Sequence, residues 1–179
     1  MIELSREAKE AVTLLRKLED GAREGLPQEL FLLVSALVPM PNVDLLVVNE
    51  RNQLLLSRRR DPYYQNSWHI PGGCLRFEEE LLDRVHATAI RELGFDVQVQ
   101  EPPLAVRNVI RGANPRQEFP NERGHNVAIL YQCTLPREYT IDNGDKTEAD
   151  DGYLKWFDTL PPDFMEIQHV YDDVLKPWR

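Results

Sequence analysis

A pair of glycines between an apolar strand and an amphipathic helix constrains this chain more than any other feature. Residues 68–70 are typical of a short strand, and Pro71, Gly72 and Gly73 follow as a break that needs unusual backbone angles. Gly94 ends the next segment where a helix C-terminal cap is expected. The predicted helix has one apolar face, made of Leu81, Leu82, Val85, Ala89 and Leu93. A strand, a tight break and a helix in this order favour a mixed α/β domain.

Strand-like runs on both sides of this unit predict the rest of the fold. Residues 43–48 and 53–58 flank a turn at 49–52, which predicts a β-hairpin, and residues 61–67 are typical of a loop. Further strands are predicted at 97–100, 105–110, 126–134 and 153–157, and a last helix at 167–175. The fold class is therefore α/β of the mixed α+β kind, with a helix inserted after the glycine pair.

The first forty residues predict a helical extension ahead of this core. Residues 5–22 carry apolar residues at helical spacing, and residues 29–37 form a second element that ends before Pro39. We expect one domain over residues 1–179, with the extension at 1–40 and the core at 42–175. Packing of the extension on the core and packing against a second subunit are equally favoured.

Charge and composition exclude several classes of partner. The 179 residues carry a formal net charge of -9, which provides no broad basic surface for nucleic acid but leaves room for a basic pocket that holds a small anion. The two cysteines fit no metal-ligand spacing, and no secretory leader opens the chain, so we expect a cytoplasmic protein. The longest apolar run, residues 30–38, is too short to cross a membrane.

The residues around the glycine pair follow a spacing seen in one family. Counting from Gly73, Glu79, Glu92, Gly94 and Phe95 all fall on the marks of a motif written G-x5-E-x7-R-E-U-x-E-E-x-G-U, where U is apolar. This unit resembles the Nudix box. The resemblance implies a Nudix fold, a mixed sheet between helices, and a hydrolase that binds a divalent metal and a diphosphate.

Three positions depart from that box. Ala87 and Thr88 stand where an Arg-Glu pair belongs, and Arg91 replaces the first residue of a Glu-Glu pair. In the full box three glutamates share one helix face and together bind several divalent cations, which bind the diphosphate. Only Glu92 remains on that face. The loss predicts roughly one Mg²⁺, with Mn²⁺ as an alternative, held by Glu92, the backbone at Gly72, water and the substrate's phosphates.

The degraded box, the Pro-Gly-Gly turn and the retained Glu92-Leu93-Gly94 ending are similar to one Nudix subfamily, the GDP-mannose mannosyl hydrolases. Asp44 in the first strand, Arg59 at the end of the second and His125 before a late strand also sit where that subfamily places functional residues. The likeness covers residues 42–175. It implies attack of water at the anomeric carbon of a nucleotide sugar, with release of the nucleoside diphosphate, and a homodimer.

Each candidate also has a simpler structural reading. His125 suits a general base at cellular pH, although a histidine at a loop end is commonly structural. Arg59 is the preferred phosphate-binding arginine, with its neighbours Arg58 and Arg60 as alternatives, because only one or two of three successive strand residues can face a pocket. Asp44 lies in an apolar strand and needs a partner, which is either an arginine or the nucleotide.

Two further candidates come from residues that border these segments. Tyr64, with the nearby Tyr63 and Trp68, could stack on a base or sugar, although aromatic residues in such a loop usually pack. Glu79 is one of three successive glutamates at a helix start, where negative charge also favours the helix dipole, so metal binding and a structural role are equally favoured.

Two other functions remain open at this point. A conventional Nudix enzyme would split the diphosphate itself and would take its base from residues 78–80, or from Glu118 or Glu122 in the long loop 111–123. The third hypothesis is a module that binds a nucleotide sugar without turnover.

Overall fold

Two β-sheets form the middle of the protein. The computed structural model describes residues 3–112, 118–119 and 121–179, and the side chain of Gln65 is left out of the description. The larger sheet contains β1 (Met40–Val47), β4 (Gly72–Cys74), β5 (Gln98–Val99), β6 (Ala105–Ile110) and β7 (His125–Thr134). The smaller sheet contains β2 (Leu54–Asp61), β3 (Gln65–His69) and β8 (Leu154–Phe157).

β1 is the strand that positions Asp44 against the glycine pair. It pairs in parallel with β7 and antiparallel with β4, and the β4 register places Asp44 directly opposite Gly72. Asp44 is 4% exposed. A carboxylate this buried must find hydrogen-bond donors inside the protein.

The predicted hairpin of residues 43–48 and 53–58 is wrong. β1 and β2 lie in different sheets, and between these two segments the described residues show β-pairing only at one isolated bridge, between Val48 and Leu54. Leu54, Leu55 and Leu56 are all fully buried, as in a strand covered on both faces. Hydrophobic runs of this kind identify a strand but not the strand that it pairs with.

The predicted loop at 61–67 is also largely strand. β2 continues to Asp61 and β3 starts at Gln65, so only a short turn separates two antiparallel strands. Asp61 stabilises this turn, because its Oδ1 accepts hydrogen bonds from the backbone of Tyr63 (2.8 Å) and Tyr64 (2.9 Å).

The predicted helix after the glycine pair is confirmed as α3 (Leu81–Leu93). Val85, Ala89 and Leu93 are buried against β1 residues such as Val43. Gly94 has φ +72°, and its N–H donates to the Ile90 carbonyl at 3.2 Å, which is the expected left-handed C-terminal cap.

The predicted C-terminal α-helix at 167–175 is wrong, because this part of the chain forms 3₁₀ turns. Two short 3₁₀ segments are present instead, Glu166–Tyr171 and Lys176–Trp178. Tertiary hydrogen bonds determine their positions, since Gln168 accepts from the N–H of Ile70 at 2.7 Å and Trp178 Nε1 donates to Asn52 at 2.7 Å. These long-range contacts outweigh the local helical pattern.

The predicted first helix is shorter than expected. α1 (Arg6–Leu15) continues as a 3₁₀ segment over Arg16–Glu24, and α2 (Gln28–Leu37) follows. Most apolar side chains of α1 stay exposed, for example Val12 at 41%, whereas α2 buries Ser35 against the core. The homodimer therefore stays a prediction. No helix within the described part of the chain is long and apolar enough to cross a membrane.

Candidate active site

A cavity of about 590 Å³ lies where β1, β4, α2, α3 and the first C-terminal 3₁₀ segment meet. Its volume falls within the roughly 300–1,000 Å³ typical of small-molecule sites. Polar lining residues include Asp44, Arg59, Tyr64, Gly72, Glu92 and Arg123. Most of the site residues expected from the sequence therefore share one space.

Asp44 is held at the bottom of this cavity by three donors. Tyr171 Oη donates to its Oδ2 at 2.7 Å, Asn42 Nδ2 donates to Oδ1 at 2.9 Å, and Gln168 Nε2 lies 3.4 Å from Oδ1. Burial raises the pKa of Asp44 to about 7, although these hydrogen bonds and the charge of Arg59 act against the rise. The group can therefore gain or lose a proton near neutral pH.

Gly72 and Gly73 are required because a side chain at either position would collide with its neighbours, and not because of their backbone angles. Gly72 and Gly73 lie in β4, and neither has a positive φ, so the expected unusual backbone angles are wrong. A methyl group at position 72 would collide with Asp44 Oδ1, and one at 73 would lie 2.6 Å from Thr88 Oγ1. The glycines allow β4 to approach both the buried carboxyl group and α3.

Of the three successive arginines, Arg59 lines the cavity. Its guanidinium forms an ion pair with Asp61 and lies 4.9 Å from the centre of the Tyr64 ring. Arg58 instead pairs with Asp163, and Arg60 is exposed. Arg59 therefore brings a positive charge and a stacked aromatic ring to the same wall of the cavity.

Arg123 also lines the cavity, and it was not among the site residues predicted from the sequence. Its guanidinium lies 5.1 Å from the ring centre of Phe31 and 5.0 Å from that of Tyr63, and its backbone N–H donates to Ser35 Oγ at 2.9 Å. The sequence shows only an arginine near the end of a polar loop. Its position depends on α2, which local pattern does not place.

Glu92 lines the cavity from the last turn of α3, near the backbone of Gly72. The Arg91 guanidinium contacts both Glu92 and Gly72. Its Nη2 lies 2.9 Å from Glu92 Oε1 and 3.1 Å from the carbonyl oxygen of Gly72. Both oxygens are ligands of the type that Mg²⁺ accepts. Among the described residues no group of three or more acidic, histidine or cysteine side chains could hold a metal ion.

Comparison with known proteins decides the family. The NUDIX domain profile matches residues 38–166, most of the chain. The chain belongs to the Nudix family. It is similar to a MutT NUDIX hydrolase from Burkholderia pseudomallei, with 25% identity, a TM-score of 0.57 and coverage of 76% of this chain and 98% of that one. A NUDIX hydrolase from Nitrosomonas europaea shares the fold at 12% identity, with a TM-score of 0.53 and coverage of 79% and 92%.

A curated relative matches a shorter part of the chain. The low-salt glycan biosynthesis protein Agl8 of Haloferax volcanii is 32% identical over 85 residues, which cover 48% of this chain and about half (54%) of that protein. The chain thus spans about half the length of this relative, and it has the mixed α/β Nudix fold. Enzymes of this family typically use a divalent metal ion such as Mg²⁺. The likeness to GDP-mannose mannosyl hydrolases is a finer proposal.

The first glutamate of the Nudix box has a different environment from Glu92. Both carboxylate oxygens of Glu79 pair with the buried guanidinium of Arg84, and the N–H of Arg76 donates to it at 2.8 Å. Burial raises the pKa of Glu79, but the hydrogen bonds from Arg84 and the backbone outweigh it, and the pKa lies below its ordinary value. Its contacts stabilise the start of α3, and metal binding by Glu79 stays a prediction.

His125 is not brought together with the other site residues. It begins β7, and its Nε2 lies 2.6 Å from Asn108 Oδ1. It lines a separate cavity of about 230 Å³. The histidine that lines the main cavity is His69, whose pKa burial lowers to about 3, so that it is neutral there.

The long loop expected to be functional is described only in part, because residues 113–117 and 120 lie outside the described residues. Glu118 is exposed, and Glu122 accepts a hydrogen bond from Tyr63 Oη at 2.8 Å. Neither glutamate lines the main cavity as described.

Proposed function

We propose that this Nudix protein hydrolyses a nucleoside diphosphate sugar by attack of water at the anomeric carbon, as GDP-mannose mannosyl hydrolases do. The observation that carries the proposal is one cavity in which arginines and a single box glutamate, Glu92, replace the expected carboxylate cluster. Such a site binds a diphosphate as a leaving group more readily than it assembles several metals around phosphorus. The glycan biosynthesis name of the Haloferax relative supports a sugar-containing substrate.

The lining divides into parts suited to different regions of such a substrate. Arg59 and Arg123 supply the positive charge for the diphosphate. One guanidinium group can donate two parallel hydrogen bonds to phosphate oxygens. Tyr64, which stacks with Arg59, offers an aromatic face for the base or sugar. Asp44, with Tyr171 and Gln168 around it, supplies hydrogen-bonding groups of the kind that sugar hydroxyls require.

The proposed divalent ion, Mg²⁺ or Mn²⁺, would be held by Glu92 and the carbonyl oxygen of Gly72. When bound, it would neutralise negative charge on the departing diphosphate. The guanidinium groups of Arg59 and Arg123 stabilise the same charge from the protein side.

Two residues are candidates for the base that takes a proton from water. Asp44 lies in the cavity, and its pKa of about 7 suits a base at cellular pH. His125, the base expected from the sequence, would need to leave Asn108 and reach the main cavity. We therefore prefer Asp44 and keep His125 as the alternative.

A panel of nucleotide sugars with Mg²⁺ in ¹⁸O-labelled water tests the proposal. We expect release of a nucleoside diphosphate and of a free sugar that carries the label. Glu92→Gln should lower kcat/KM by roughly tenfold or more, because it removes the charged metal ligand. The exposed Glu138→Gln, which lines neither cavity, is the matched control and should keep wild-type activity.

Label in a phosphate product would contradict attack at carbon and would support a conventional Nudix pyrophosphohydrolase. Binding without turnover, across the panel and several divalent metals, would instead support a non-catalytic nucleotide-sugar module. The proposed homodimer is tested separately by light scattering of the intact chain.

A further inference from the structure

One guanidinium group occupies the place that the proposed metal ion would take. Arg91 Nη2 is within 2.9 Å of Glu92 Oε1 and 3.1 Å of the carbonyl oxygen of Gly72, and Arg91 Nε is 3.1 Å from the same glutamate oxygen. These are the two oxygens assigned above to the divalent ion. A guanidinium and a metal ion cannot contact both oxygens together, so they are alternative occupants.

The neighbouring residues favour the guanidinium. A methyl group at Gly73 would lie 3.2 Å from Arg91 Nη2, so the glycine leaves room for this side chain. Thr88, at another glutamate position of the box, is buried, and its hydroxyl has no hydrogen-bond partner in the described residues. Where the full box has three negative charges, this site has one negative and one positive charge, which largely cancel.

The charge of the whole cavity lining also favours a guanidinium over a metal ion at this position. In the described part of the chain, five arginines line the cavity with two carboxyl residues, Asp44 and Glu92. Two of these arginines, Arg59 and Arg84, pair with Asp61 and Glu79, which do not line the cavity. The other three arginines still outnumber Asp44 and Glu92, so the lining favours diphosphate oxygens over a divalent cation.

We infer that Arg91 is a built-in cation that binds the diphosphate of the ligand in place of the divalent ion, so that diphosphate binding does not need a metal. The inference rests on the proposed diphosphate site. Divalent ions must displace Arg91 from Glu92 and Gly72 before they bind there. Arg91 therefore strengthens diphosphate binding and weakens metal binding at the same position.

Two binding measurements test this without turnover. Calorimetry with inorganic pyrophosphate in excess chelator should show binding to the wild-type protein, and Arg91→Gln should weaken it by roughly tenfold or more, as expected for lost charge-assisted hydrogen bonds. Titration with Mn²⁺, followed by electron paramagnetic resonance, should show tighter binding to Arg91→Gln and tighter still to Arg91→Glu. Arg137→Gln removes the same charge at an exposed site and should change neither affinity.

The inference fails if wild-type protein binds pyrophosphate only with a divalent ion, or if Arg91→Gln leaves the Mn²⁺ affinity unchanged while its circular dichroism and Tm match the wild type. These results are separate from the proposed reaction. A failed substrate panel with the expected Arg91 behaviour would overturn the reaction alone, and turnover with metal-dependent pyrophosphate binding would overturn only the role of Arg91.

Discussion

Asp44 and His69 line the same cavity and respond to pH in opposite directions. Burial raises the pKa of Asp44 from 3.8 to about 7, so its contribution to stability is full below pH 3.8 and is lost as the pH rises through about 7. Burial lowers the pKa of His69 from 6.5 to about 3, so its contribution is present above pH 6.5 and is lost as the pH falls towards 3. Between about pH 4 and 6.5 the two effects offset each other.

Replacing Asp44 by Asn should expose this compensation. Asn resembles the protonated acid and keeps partners for Tyr171 and Asn42, so the variant should fold. The free energy of unfolding of the wild type, relative to Asp44→Asn, should decrease as the pH rises from 4 to 7, by at most about 1.4 kcal/mol per pH unit. Urea unfolding at several pH values measures the difference.

The companion variant His69→Asn should give the opposite result. The free energy of unfolding of the wild type, relative to His69→Asn, should increase as the pH rises, because the contribution of His69 to stability is lost in acid. Wild-type and Asp44→Asn curves that run parallel from pH 4 to 7 would show that Asp44 is already ionised in the folded protein at acid pH.

At the scale of elements, the contact between β4 and α3 determines how close the box helix lies to the sheet. Gly73→Ala would place a methyl group 2.6 Å from Thr88 Oγ1 and 3.5 Å from Arg84 Cδ. We expect a loss of about 1–3 kcal/mol in the free energy of unfolding, as for other overpacked sites. Gly21→Ala, with nothing within 4 Å of the added methyl group, is the matched control and should change stability by less than about 0.5 kcal/mol.

Thr88→Ala provides a second check on the same contact, because it removes Oγ1, the atom closest to a methyl group at position 73. In a double-mutant cycle the two changes should show favourable coupling, with Gly73→Ala costing less in the Thr88→Ala background. Additive losses would mean that another neighbour, such as Arg91 or Arg84, limits the space at position 73.

At the scale of the whole molecule, the helical extension completes the cavity of the core. Residues of α2 and of the segment before it line the cavity, and Arg23 pairs with Glu78 near the start of α3. Phe31 packs on the guanidinium of Arg123, which lines the same cavity. The extension is therefore part of the candidate binding site, although it lies outside the resemblance that the sequence showed.

Phe31→Ala should weaken ligand binding. Loss of the cation–π contact with Arg123, worth about 0.5–2 kcal/mol, should raise the Kd for a nucleoside diphosphate by roughly 2- to 30-fold. Leu33→Ala on the same helix, 46% exposed and outside the cavity lining, is the control and should leave the Kd unchanged. An unaltered Kd for Phe31→Ala, with an unaltered Tm, would show that this wall does not contact the ligand.

The sequence by itself determined the elements whose signals are local. Helix α3, its Gly94 cap and most strands follow from residue periodicity. The spacing of Gly73, Glu79 and Glu92 resembles a Nudix box, and the NUDIX domain match over residues 38–166 confirms the family. The same spacing showed which box glutamates are missing.

Only the tertiary structure decided what those residues contact. It separated β1 from β2, replaced the C-terminal helix by 3₁₀ segments that bring Tyr171 to Asp44, and placed Arg91 between Glu92 and Gly72. Pairing of strands and burial of charge depend on residues far apart in the chain, whereas periodicity reports only near neighbours. For this reason the sequence showed a lost glutamate at position 91, and the folded chain showed that the Arg91 guanidinium contacts Glu92 and the carbonyl oxygen of Gly72.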